Sequence, residues 1–233
     1  MSGQMVSISG ADGAFEGYLS TPAGGTGPGI VIIQEIFGVN PFLKTLADAY
    51  AAEGYIALVP DLFWRLEPGL SLNPSVEAEW NKALELYQKF DVDAGVKDIS
   101  AAIAHLRGID GATGKVGAVG YCLGGLLAYL TAARTDSDGT VGYYGVGIEN
   151  HLKDADKISA PLLLHYAEED GFVPKDAQEK VKTTLADARD VTVYSYPGRD
   201  HAFARSDDPA HYHPEDAALA DGRTKAFFKE HLG

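Results

Sequence analysis

Three residues of this 233-residue chain have the types and the order of a covalent hydrolytic site: Cys122, Asp170 and His201. Cys122 is the only cysteine. It sits in Gly120-Tyr121-Cys122-Leu123-Gly124, at the junction of an apolar run and a helical segment. G-x-C-x-G is the cysteine form of a sharp strand-to-helix turn that lifts a nucleophile above a sheet. The glycines are needed because side chains there would clash with the neighbouring strand and helix. The turn aims the first N–H groups of the helix at the reacting atom, which stabilises an oxyanion and favours a thiolate. A cysteine in an arbitrary strand would more simply fill space. Here the glycine spacing and the strand-to-helix context favour a nucleophile.

Such a nucleophile needs a base and an orienting acid, and on this turn they follow in the order acid, then histidine. Asp170 opens Asp170-Gly171-Phe172-Val173-Pro174, a turn just past an apolar run; Glu168 and Glu169 compete with it from the same segment. His201, in Gly198-Arg199-Asp200-His201-Ala202-Phe203, comes directly after the last strand-like run. His105 falls in a helical pattern, His165 inside a strand, His151 too early in the order and His231 at the terminus.

The elements that must position these residues read as alternating strands and helices. Runs at 29–34, 55–59, 116–120, 141–144, 161–166 and 191–196 are apolar enough to be strands buried on both faces. Residues 5–8 and 15–19 flank Asp12-Gly13 and read as an N-terminal edge hairpin. Asn40-Pro41 starts a helix that stops near Gly54. Val92, Val96, Ile99, Ile103 and Leu106 form one helical face; Val76, Trp80, Leu84 and Tyr87 form another. Further helices are expected after Pro174 and over about Glu215 to Phe228. The Gly-rich stretch 24–29 reads as a connecting loop. The expected fold is α/β, a mostly parallel central sheet with helices on both faces, and one domain over 1–233. Strand carboxyl ends are where such sheets place their sites, and all three candidates fall there.

Composition narrows the function classes. Nineteen Lys+Arg against 33 Asp+Glu give a net charge of −14, which disfavours nucleic acid and an acidic membrane surface as partners. No run is long enough to span a bilayer. The Met1-Ser2-Gly3-Gln4 terminus shows no basic stretch leading into an apolar one, and one cysteine excludes an intrachain disulfide, so a reducing cytoplasm is the expected compartment. No cofactor is expected. His211-Tyr212-His213 lacks further ligands at convincing spacing for a metal, and Gly111-Ala112-Thr113-Gly114-Lys115 lacks the Ser/Thr of a phosphate loop. Asp207-Asp208 reads as solvated surface. No long exposed apolar helix demands a partner, so a monomer is expected.

The whole chain, from about residue 5 to 230, resembles the dienelactone hydrolase family of the α/β-hydrolase superfamily. Gln34-Glu35-Ile36-Phe37-Gly38, Gly120-Tyr121-Cys122-Leu123-Gly124-Gly125, Tyr143-Tyr144-Gly145, the Asp170 turn and residues 198–205 carry the resemblance. It implies a cysteine-dependent hydrolase that opens carboxylated enol lactones of the dienelactone type through an acyl-enzyme. It implies Cys122, Asp170, His201 and Glu35 as the catalytic set, and the N–H groups of Ile36 and Leu123 as the oxyanion hole. Arg205, Trp80, Tyr144 and Phe37 would bind a small, anionic lactone or ester. In the family the glutamate matching Glu35 pairs with the arginine matching Arg205 until a substrate carboxylate takes the arginine. The released glutamate then accepts the cysteine proton. A purely structural Glu35–Arg205 pair is the alternative. The family's second arginine falls at Trp80 when the chains are matched through Tyr87-Gln88-Lys89-Phe90-Asp91, so one anion contact is exchanged for apolar surface. This leaves open a larger or less charged ester, with Arg65 as a possible further anion contact. A non-catalytic binding or redox-sensing relative is the alternative of a different class; a full Cys–Asp–His set speaks against it.

Overall fold

The computed structural model describes residues 3–233; the first two positions of the terminus read above for a leader lie outside them. Eight strands form one sheet in the order β1-β2-β4-β3-β5-β6-β7-β8. They are β1 Gln4–Gly10, β2 Gly13–Ser20, β3 Gly27–Ile33, β4 Ile56–Pro60, β5 Ala112–Tyr121, β6 Gly139–Tyr143, β7 Leu162–Ala167 and β8 Val191–Tyr196. The helices are α1 Pro41–Ala52, α2 Glu77–Lys89, α3 Val92–Arg107, α4 Leu123–Arg134, α5 Lys175–Leu185 and α6 Pro214–Leu232. Two compact units, 1–118 and 119–233, divide the chain, and the division falls within β5.

In the first unit the hairpin expected around Asp12-Gly13 forms: β1 and β2 pair antiparallel from Gln4↔Leu19 to Gly10↔Gly13. β2 pairs antiparallel with β4, and β4 parallel with β3. β3 begins at Gly27, inside the stretch read from sequence as loop, because Gly27 N–H donates to Gly111 O at 3.1 Å. The α1 start is as the sequence indicates: the Asn40 side chain accepts from Leu43 N at 3.1 Å and Pro41 follows. The α3 face buries Val96, Ile99, Ala102, Ile103 and Leu106. On α2 the fully buried residues are Ala83 and Leu86, so the Trp80–Leu84–Tyr87 stripe is half-exposed rather than core.

In the second unit β6, β7 and β8 pair parallel. Every residue of β6 and β7 is buried, which is why both read as unbroken apolar runs. Helix α4 is apolar on all sides and buried from Leu123 to Ala133. His165 is a structural histidine. Its Nε2 lies 3.1 Å from Thr224 Oγ1 and its Nδ1 2.8 Å from the Tyr196 hydroxyl, while Tyr143 OH lies 2.6 Å from the same Thr224 Oγ1. Burial, reinforced by the positive charge of Arg223, pushes its pKa down to about 3, so the ring is neutral. Thr224→Val removes one hydroxyl and strands two buried partners. It is expected to destabilise by about 2 kcal/mol in urea unfolding. A loss below about 0.5 kcal/mol would mean that the network is not structural.

Candidate active site

Cys122 lies between β5 and α4, with φ 57° and ψ −114°, a conformation a non-glycine residue adopts only when its surroundings impose it. The surroundings are the glycines. A Cβ on Gly120 would lie 1.9 Å from Gly124 O, and one on Gly125 would lie 2.5 Å from Tyr143 O. Without side chains there, the backbone closes on itself: Cys122 N–H donates to Tyr143 O at 3.1 Å and Gly125 N–H to Cys122 O at 2.9 Å. Leu123 is the first residue of α4, so its N–H belongs to the first-turn donors that have no intrahelical acceptor.

His201 follows β8 and is hydrogen-bonded to the side chains of both Cys122 and Asp170. Its Nδ1 is 2.8 Å from Asp170 Oδ2 and 3.1 Å from Oδ1. Asp170, just past β7, also accepts from Phe172 N at 2.8 Å on Oδ1. The competing acids are elsewhere engaged: Glu168 accepts from Gly198 N at 3.3 Å, and Glu169 pairs with Lys175 at 2.6 Å. Burial lowers the pKa of His201. The electrostatic interactions with Cys122 and Asp170 and the hydrogen bonds to both outweigh it and push the value up to about 10. The resting ring is therefore an imidazolium held between two groups that favour its charge.

Tyr144, directly after β6, is fully buried at a positive φ of 38° and places its ring 4.9 Å from that of His201. Arg205 is only 2% exposed; its Nε donates to Asp207 Oδ1 at 2.8 Å and its Nη2 to Oδ2 at 3.3 Å. Asp207 is exposed, as the sequence suggests, and is at the same time the partner of a buried arginine.

The other four candidates belong to the first unit. Glu35, Ile36 and Phe37 are buried in the segment leaving β3. There Gln34 is pinned by accepting from Leu62 N at 3.0 Å, and its Nε2 donates to Glu35 O at 3.3 Å. Phe37 and Trp80 meet with ring centroids 5.3 Å apart. Arg65 is no anion reader: it is bonded to Asp98 and Asp12 and lies over the Trp64 ring at 4.3 Å.

Sequence reasoning missed three residues around the second-unit cluster. Phe172 is 54% exposed, and its ring stands edge-on to His201 at 4.9 Å. Asp200 Oδ1 accepts from His201 N at 2.6 Å and Gly171 N at 3.2 Å, tying the acid turn to the histidine turn. Gln178 donates to Val173 O at 2.8 Å and Ala167 O at 3.0 Å, holding the acid turn from α5. Only Gln178 had a signal, a polar residue on the otherwise apolar Gln178-Val181-Leu185 stripe.

A strained cysteine between a central strand and a buried helix, in a mostly parallel sheet, defines an α/β-hydrolase. The dienelactone hydrolase family model matches residues 15–232. The carboxymethylenebutenolidase of Pseudomonas putida is 41% identical over 223 residues, 95% of this chain and 94% of its own. A protein of Azospirillum brasilense that carries the same name provisionally is 48% identical over 226 residues, 96% of each chain. The crystal structure of a provisional dienelactone hydrolase from Klebsiella pneumoniae superposes with a TM-score of 0.83 at 26% identity, covering 97% of both chains. The chain belongs to the dienelactone hydrolase family and is a hydrolase. Among the described residues, no helix is long and apolar enough to cross a membrane.

Proposed function

We propose that the chain is a cysteine hydrolase of small anionic enol lactones or esters, with Cys122 as nucleophile, His201 as acid and base, and Asp170 as orienting acid. One observation carries this reading: His201 is hydrogen-bonded to Cys122 on one side and to Asp170 at 2.8 Å on the other. The thiol proton resides on His201, and the sulfur attacks the ester or lactone carbonyl. The oxyanion forms on the N–H of Leu123, with that of Ile36 as second donor. Collapse expels the ring oxygen as an enolate, which takes its proton from the imidazolium and leaves a thioester on Cys122. An enolate is a stabilised leaving group, so a thiol nucleophile suits enol lactones and activated esters better than amides.

Acylation then changes the histidine. The thioester carries no charge, so the contribution of Cys122 to the raised His201 pKa is lost, while burial and Asp170 remain. The ring becomes a neutral base at working pH and draws a proton from the water that attacks the thioester. Collapse releases the acid and expels the Cys122 thiolate beside the imidazolium, which keeps the proton taken from water. Arg205 supplies the positive charge for a substrate carboxylate. The resemblance gives Glu35 the thiol proton; the hydrogen bond to His201 favours the imidazole as first acceptor. The unit boundary within β5 and a family match running across it support one functional domain over 1–233. A cytoplasmic monomer remains the proposed setting.

The Phe37–Trp80 pair favours a second reading, a larger or less charged ester on the same machinery. The test compares cis- and trans-dienelactone with a neutral aryl ester. A kcat/KM at least ten-fold higher for a dienelactone is expected. Turnover of the aryl ester alone would replace the first reading by the second, and turnover of neither would overturn both.

A further inference from the structure

We infer that Asp207 is a positioning residue that fixes the guanidinium of Arg205 and thereby sets the preference for anionic substrates. The inference rests on the reading of Arg205 as anion binder.

A guanidinium at 2% exposure has lost nearly all its water, and removing a charge from water is costly unless a partner replaces it. Asp207 does so with both carboxylate oxygens, at 2.8 Å on Nε and 3.3 Å on Nη2. This is the planar fork geometry that holds an arginine in one orientation. The spacing is local. Arg205 N–H donates to Ala202 O at 2.9 Å and Asp208 N–H to Arg205 O at 3.1 Å, so consecutive turns fold the chain until Asp207 faces the arginine two residues before it. Neighbouring Asp208 cannot substitute: its carboxylate accepts from His211 Nδ1 at 2.9 Å and Ala210 N at 3.2 Å.

The consequence is directional. Asp207 takes the Nε edge, so a second anion can be met by two parallel hydrogen bonds only along the Nη1–Nη2 edge. An arginine side chain free to rotate would lose that alignment and the entropy of regaining it on binding. Asp207 itself is 44% exposed, so it fixes the arginine from the solvent side and does not enter the reacting centre.

The test measures KM and kcat of the full-length protein for two aryl esters with the same leaving group, one with a carboxylate on the acyl chain and one neutral. Asp207→Ala is expected to raise the KM ratio of anionic to neutral ester roughly ten-fold, with little change in the kcat ratio. Asp207→Asn keeps an oxygen on Nε and is expected to retain most of the discrimination. Equal shifts for both esters in Asp207→Ala would overturn the inference. So would an Asn variant as impaired as the Ala variant, which would assign the effect to charge alone. If the Ala variant does not fold, Asn against Asp207→Glu decides: Glu, with its oxygens displaced by one methylene, must discriminate less than Asn. Arg205→Gln separates the underlying reading. If it leaves the KM ratio unchanged, Arg205 is not the anion binder; if it raises the ratio while Asp207→Ala does not, only the role of Asp207 fails.

Discussion

Cys122→Ala is expected to lower kcat/KM for any ester or lactone substrate by about 10⁴- to 10⁶-fold, the range found when the nucleophile of a hydrolytic triad is removed. The same substitution should be visible without substrate. Two of the four influences that raise the His201 pKa come from Cys122: its electrostatic interaction with the ring and its hydrogen bond. With alanine there, burial opposes Asp170 alone, and the pKa should fall well below the value of about 10 in the intact protein. Proton NMR of the His201 ring reads this directly. Stability should follow in sign. A histidine whose folded pKa is raised contributes stability that is fully present below its unfolded value of about 6.5 and is lost as pH rises through the folded value. The intact protein should therefore lose stability on approaching pH 10, and the alanine variant should lose less there. Alanine inherits the backbone at φ 57°, so the strain of the turn persists and the turn need not repack. Activity within a hundred-fold of the intact protein, or an unchanged histidine titration, would refute the cysteine-nucleophile reading.

What the sequence disclosed and what it hid divide by range. Strands buried on both faces read as unbroken apolar runs, so β6 and β7 were found within two residues of their ends; β8 was found too, but it is an edge strand with only Tyr196 fully buried, not the doubly buried strand its apolar run suggests. The cysteine turn was legible because its constraint is local: a Cβ at Gly120 collides with the carbonyl of Gly124, four residues away. The acid and histidine were legible because chain order and strand ends place them. Partners chosen in three dimensions were not. Asp98 takes Arg65 from 33 residues away and removes it from anion binding. Phe172 shows no pattern that distinguishes a ring on His201 from an ordinary exposed aromatic. The half-exposed stripe of α2 has the period of a core face, and period alone does not tell which face the rest of the unit covers.

Asp170→Asn should be nearly as damaging as loss of the cysteine, about 10⁴-fold in kcat, with little loss of stability. The reason lies in which atom of the amide faces the ring. Phe172 N–H donates to Oδ1 of Asp170 at 2.8 Å, a bond the amide can keep only by placing its oxygen there. Its NH2 group must then occupy the Oδ2 position, 2.8 Å from Nδ1 of His201. Two donors cannot share that contact, so the imidazole must present a lone pair at Nδ1 and carry its proton on Nε2. Nε2 is then a donor toward Cys122, and the ring can no longer accept the thiol proton. Asp170→Ala imposes no tautomer, since nothing replaces the carboxylate, and it should retain at least as much activity as the amide despite losing the Phe172 bond. Measuring kcat for the two variants, with thermal unfolding to show that both are folded, decides the matter. An asparagine enzyme clearly more active than the alanine enzyme would mean that Asp170 acts by packing or turn geometry rather than by fixing which nitrogen of His201 holds the proton.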